Sequence, residues 1–135
     1  KIKKGTQKKL VLGNLYARRD WGHAADYVEA IHKILQQKKP DDFVIATGKD
    51  FTVKEFVNKT AKIIDLKIKW KGKGLSEVAV DKSNKVIISV DKIYFRPLEV
   101  DYLRGDAKKA KKYLKWKIKN SIDDLIKQMV KHELN

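Results

Sequence analysis

The sequence has no cysteine, so disulfides and thiolate metal sites are excluded. Three histidines, His23, His32 and His132, are scattered without a metal-ligand spacing. No run approaches the roughly 18–20 apolar residues of a membrane-spanning helix, and no apolar stretch precedes a small-residue cleavage site. Acidic residues are scarce: 17 against 32 Lys+Arg, a formal net charge of +15. That balance admits a nucleic-acid binder acting by phosphate neutralisation. However, 28 of the 32 basic residues are lysines, spread from Lys1 to Lys131, and no homeodomain, zinc-finger or RRM-type aromatic motif accompanies them. The expectation is a solvated surface with no specific nucleic acid and no membrane partner. A reducing, cytoplasmic setting is compatible with this composition. The 135 residues suit one domain with a real core, here a single mixed α/β unit over 1–135.

Hydrophobic patterning supplies the expected elements. Lys9–Leu12 reads as a short strand. Tyr27, Ala30, Ile31, Ile34 and Leu35 predict a helix from Ala24 or Ala25 to about Gln37, with Asp26 and Glu29 in its first turn and Lys38-Lys39-Pro40 as its stop. Phe43–Ala46 is a continuous apolar run that predicts a buried strand. Thr52-Val53-Lys54-Glu55 has capping-box form ahead of a helix carrying Val53, Phe56, Val57, Ile63 and Ile64. Ile68–Trp70, Val78–Val80 and Val86–Val90 are further strands, with a loop at Gly72–Gly74 and a hairpin turn at Lys82–Lys85. Arg96 before Pro97 predicts extended backbone over Tyr94–Leu98. Asp106 is an expected N-cap for a short helix with Ala107, Ala110 and Leu114 on one face. A last helix from Ser121 carries Ile122, Leu125, Ile126, Met129 and Val130.

Four stretches invite a chemical reading. Arg18-Arg19, between an apolar strand and a helix, suit an anionic group, because a guanidinium fork grips two phosphate oxygens. By residue type alone a solvated turn whose arginines cap neighbouring carbonyls is the plainer reading. Arg96 and Glu99 flank Pro97 and Leu98, and could hold a phosphate and a ribose diol; a surface salt bridge is the plainer reading of the spacing. Tyr113-x-x-x-Lys117 matches a dehydrogenase catalytic spacing by chance, in a chain about one-fifth lysine. Gly72-Lys73-Gly74 lacks the third glycine and the following helix of a dinucleotide fingerprint. His23, at the helix start, could position the preceding turn. Trp116 is expected to pack under the last helix.

Read as a string, LGNLYARRDWGHAADYVEA (residues 12–30) resembles a segment of the GDP-mannose 4,6-dehydratase family, which are extended short-chain dehydrogenases/reductases. The resemblance continues through DFVIATG (42–48), WKGKG (70–74), YFRPLEVDYLRGD (94–106) and KAKKYLKW (109–116). It implies an α/β fold, the C-terminal substrate-binding part of such an enzyme without its N-terminal dinucleotide-binding part. It also implies that the intact enzyme converts GDP-mannose to GDP-4-keto-6-deoxymannose with bound NADP, as a homo-oligomer. By the same resemblance Arg19 contacts the diphosphate, the backbone of Leu12–Asn14 faces the guanine, and Arg96 and Glu99 line the sugar-nucleotide pocket; Arg18 is a further substrate-binding candidate. No catalytic residue and no cofactor are expected in this chain by itself. Four positions depart from the family pattern: Tyr16 replaces an aspartate, Arg18 a lysine, Lys71 a glutamate and Ile118 a proline. Another sugar-nucleotide dehydratase or epimerase, and a basic nucleic-acid-binding module, stand as alternatives.

Overall fold

A computed structural model describes residues 1–95 and 100–134 of the chain. In chain order the elements are β1 (Leu10–Leu12), β2 (Arg18–Arg19), α1 (Ala24–Leu35), β3 (Phe51–Thr52), α2 (Val53–Ile63), β4 (Lys69–Lys71), β5 (Val78–Val80), β6 (Val86–Val90), β7 (Tyr102–Leu103), α3 (Lys108–Tyr113) and α4 (Ile122–Leu134). Two small sheets organise them. One runs β1-β6-β5-β4, with β1 parallel to β6 and the other pairs antiparallel; the second runs β3-β2-β7. In the second sheet Arg18 lies opposite Thr52 on one side and Tyr102 on the other.

Local chemistry explains the element ends. The Thr52 hydroxyl accepts from Glu55 N, while Glu55 Oε2 accepts from Thr52 N at 2.6 Å, completing the expected capping box of α2. His23 caps α1 by accepting from Ala25 N at its Nδ1. Ser121 Oγ accepts from Asp124 N while Asp124 Oδ2 accepts from Ser121 N, a reciprocal start to α4. In the β5–β6 hairpin Asp81 Oδ1 accepts from Ser83 N and Lys85 N, and Asn84 takes the left-handed conformation such a turn needs.

The core divides into two clusters. Ala79, Ile87 and Ile88 are buried under Leu10, Leu12, Val57, Leu66, Ile68 and Trp70, so the first sheet packs on α2. Ala30, Ala107, Ala110, Leu114 and Trp116 form the second, joined by Tyr27, Ile34, Phe43, Ile45 and Ile118. Trp116 therefore packs against α1 and α3 rather than under the last helix, and its Nε1 donates to Asp26 O at 2.8 Å.

Other expectations are corrected. Residues 43–46 form no strand: Phe43 and Ile45 reach the second cluster and Ala46 is buried, but no described strand offers a ladder and Val44 is exposed. α1 ends at Leu35, two residues early, and Asp26 alone is the acid of its first turn. Tyr94 closes a 3-10 turn (Lys92–Tyr94) capped by the Asp91 carboxylate, so extended backbone begins only at Phe95; residues 96–98 lie outside the described part. Asp106 sits one position ahead of the cap, which is Ala107, and its Oδ1 accepts from Lys108 N.

Candidate functional site

The stretch after β1 is held from several sides. Gly13 meets the 3-10 turn so closely that a Cβ there would lie 2.1 Å from the Tyr94 carbonyl oxygen; only glycine allows this approach. Beside it Asp91 N donates to Leu12 O at 2.9 Å. The N-terminal N–H groups of α2 are already used, Lys54 N donating to Leu15 O and Val53 N to Ala17 O. That helix end therefore pins the 15–17 backbone instead of serving as an anion site.

These constraints enclose a cavity of about 350 Å³ lined by Leu12, Gly13, Asn14, Ala17, Arg19, Val53 and Tyr94, within the range of small-molecule sites. Arg19 Nη1 donates to the Arg18 carbonyl at 2.8 Å and to the Val100 carbonyl at 2.7 Å, holding the guanidinium at this wall. A larger groove, about 530 Å³, lies between the first sheet, α2 and α4, walled by apolar side chains such as Leu10, Phe56, Ile88 and Ile126. It has no arginine; Lys1 and Lys3 are the cations of its lining.

The structure thus brings Leu12, Asn14 and Arg19 together. Arg18 it places elsewhere: Arg18 Nε donates to Asp50 Oδ2 and the guanidinium also reaches Asp50 O. This hydrogen-bonded pairing holds the Asp50 carboxyl below the usual carboxylate range and raises Arg18 further. Arg96 and Glu99 lie outside the described residues. The Tyr113/Lys117 pair has no site around it, since both are exposed on the surface.

Two constellations escaped sequence reasoning. Glu77, only 1 % exposed, accepts from the Tyr16 hydroxyl at 2.9 Å and from Lys54 Nζ at 2.5 Å, and the ammonium also sits 4.9 Å from the centre of the Trp70 ring. The bond to Glu77 raises the Lys54 pKa. Tyr16, one of the departures from the family pattern, thus anchors the turn. Asp20 is the second: its carboxylate accepts from Thr47 N and Thr47 Oγ1 and from the backbone N–H of Gly48 and Gly105. The only available signal was an acid inside an otherwise tightly packed motif. Among the described residues no group of His, Cys, Asp and Glu could hold a metal ion, and no helix is long and apolar enough to cross a membrane.

A family model described as GDP-mannose 4,6 dehydratase matches residues 1–129. The chain belongs to that family. It is 51 % identical over 131 residues to a GDP-mannose 4,6 dehydratase of Dictyostelium discoideum, covering 96 % of this chain and 37 % of the relative. It is 52 % identical over 120 residues to the Homo sapiens protein of the same name, covering 88 % and 32 %. The chain thus spans about a third of the length of these curated family members. Its fold matches the solved structure of RMD from Pseudomonas aeruginosa complexed with NADPH, at TM-score 0.74 and 17 % identity, covering 96 % of this chain and 37 % of that one. A dTDP-glucose 4,6-dehydratase from Bacillus anthracis in complex with NAD matches at TM-score 0.71 and 20 % identity, over 95 % and 35 %. The α/β fold expected for an extended short-chain dehydrogenase/reductase is the one found.

Proposed function

We propose that this chain is the sugar-nucleotide-binding part of a GDP-mannose 4,6-dehydratase that acts in the cytoplasm as a homo-oligomer. The observation that carries the reading is the 350 Å³ cavity, which gathers Leu12, Asn14 and Arg19 behind the glycine at position 13. Its mixed walls suit a base and a diphosphate: Leu12 and Val53 offer apolar surface, Asn14 polar donors, and Arg19 a permanent positive charge. Arg96 and Glu99 belong to the same proposed pocket through the family motif. Arg18, committed to Asp50, is reassigned as the residue that holds β2 to the segment before β3.

NADP is the cofactor this assignment implies, and the described residues do not fit it. Gly72 packs its free face against the Ser76 backbone, and a 3-10 turn of only three residues, Gly74–Ser76, stands where a pyrophosphate would need a helix N-terminus. The contribution of this chain is orientation: it fixes the nucleotide so that the sugar is presented to groups elsewhere in the polypeptide. The full-length protein should convert GDP-mannose with NADP to a 4-keto product, and residues 1–135 alone should not. A full-length protein inactive on GDP-mannose but active on a UDP- or dTDP-hexose would overturn the substrate assignment. A 4-keto product from the chain alone would overturn the division of labour.

A further inference from the structure

Glu77 is a carboxylate sealed inside the molecule, and both of its oxygens are bonded. Oε2 accepts from the Tyr16 hydroxyl at 2.9 Å and Oε1 from Lys54 Nζ at 2.5 Å. Stability alone explains neither partner. A buried ion pair recovers little more than its desolvation, and Lys54, a cation in the first turn of α2, opposes the helix dipole. Tyr16 is 52 % exposed, so burial of its ring does little to hold it. The family pattern has an aspartate at this position, which would set a second carboxylate against Glu77; the hydroxyl contact belongs to this chain. What the three groups share is a place. Leu15 O and Ala17 O, on either side of Tyr16, accept from the Lys54 and Val53 N–H groups, and Tyr16 N donates to Asn14 Oδ1 at 2.9 Å. Asn14, Ala17 and Val53 are walls of the 350 Å³ cavity, whereas Tyr16, Lys54 and Glu77 are not part of its lining.

We propose that Tyr16 is a positioning residue: through Glu77 and Lys54 it fixes the apex of the turn after β1, so that the cavity keeps its binding shape before a ligand arrives. The affinity part rests on the reading that the cavity takes a sugar nucleotide. Without the clamp the turn stays tied at Leu15 and Ala17 while its apex moves, and a ligand must order it on binding. That cost falls on affinity and not on the chemical step, since the reacting sugar is presented to groups elsewhere in the polypeptide. The ion pair thus contributes geometry with little gain in stability.

The test uses the full-length protein and two variants, Tyr16→Phe and the paired Lys54→Met/Glu77→Leu. Tyr16→Phe removes one oxygen and keeps the ring. Its KM for GDP-mannose should rise about five- to tenfold, the scale of one hydrogen bond, with kcat within about twofold of wild type. The paired variant replaces both charges with apolar groups of similar size, so it should melt at or above wild type while its KM rises at least as much. A merely structural clamp predicts instead a KM that follows the melting temperature. Amide hydrogen exchange at Tyr16, Val53 and Lys54 needs no ligand and should quicken about tenfold in Tyr16→Phe. Unchanged exchange at these amides, or an unchanged KM in Tyr16→Phe, overturns the proposal. So does a paired variant that melts like wild type and keeps its KM. Where the paired variant does not fold, Tyr16→Phe carries the decision. A wild type inactive on GDP-mannose overturns the proposed function instead, and exchange in Tyr16→Phe then decides the clamp by itself.

Discussion

The two halves of the core are built by different means. Around Ala79, Ile87 and Ile88 the chain uses strand ladders and an amphipathic helix, and stabilisation is shared over many similar contacts. Around Trp116 it uses single side chains that bridge segments remote in sequence. Asp26, 2 % exposed, accepts from Lys119 N, Asn120 N and Asn120 Nδ2, and its carbonyl takes the Trp116 indole N–H. The first arrangement tolerates loss of any one residue better than the second. The candidate site lies on the first, and its walls inherit that rigidity.

Substitutions sharpen this contrast. Trp116→Ala should cost the most, about 3–5 kcal/mol, the range for removing a buried large aromatic. It should raise hydrogen exchange across α1 and α3 while leaving β5 and β6 protected. Equal loosening of both regions would merge the two clusters into one. Asp26→Ala follows at about 2–3 kcal/mol, because three N–H donors lose a shared acceptor in a buried place. Asp81→Ala, whose carboxylate only organises an exposed hairpin turn, should cost under about 1 kcal/mol. A reversal of that order, measured by denaturant melting, would refute the contrast. Thr52→Ala should cost about 1 kcal/mol through the lost capping box, with the effect confined to the first turn of α2.

Acid provides the smallest effect. Asp41 is held below the usual carboxylate range chiefly by its bond to Lys109, Glu55 by the Thr52 backbone N–H, and Asp124 by Ser121. Groups whose folded values are depressed add stability above their unfolded pKa of about 4 and lose it as pH falls through the folded values. Stability should therefore be flat from pH 7 to about 5 and decline gently below about 4. A decline already present between pH 7 and 5 would point to groups other than these.

Much of the fold was legible because periodicity reports burial. The α4 pattern placed Ile122 and Ile126 inside, and Thr52-x-x-Glu55 marked the start of α2. Residues 43–46 misled because an apolar run states only that side chains seek burial, not that the backbone finds a ladder. Trp116 misled for a related reason: its partners, Asp26 and Ala30, lie some ninety residues away and no local spacing records them. At the site, motif resemblance led to Leu12, Asn14 and Arg19, which the fold gathers at one cavity. It could not show that Arg18 is taken by Asp50 or that Glu77 is buried beneath Tyr16, since both depend on long-range pairing.

The most direct test of the proposed nucleotide site is GDP titration of the full-length protein carrying Arg19→Ala, Arg19→Lys or Arg104→Ala, with folding checked by circular dichroism. Arg104 serves as the control because it stacks over the Tyr102 ring and lies outside the cavity lining. Loss of Arg19 should weaken GDP by about ten- to a hundredfold, the scale of hydrogen bonds to a charged group. Lysine should restore little, since it cannot reproduce the planar fork, and Arg104→Ala should bind like wild type. Wild-type affinity in both Arg19 variants, with a loss in Arg104→Ala, would contradict this placement of the phosphate site.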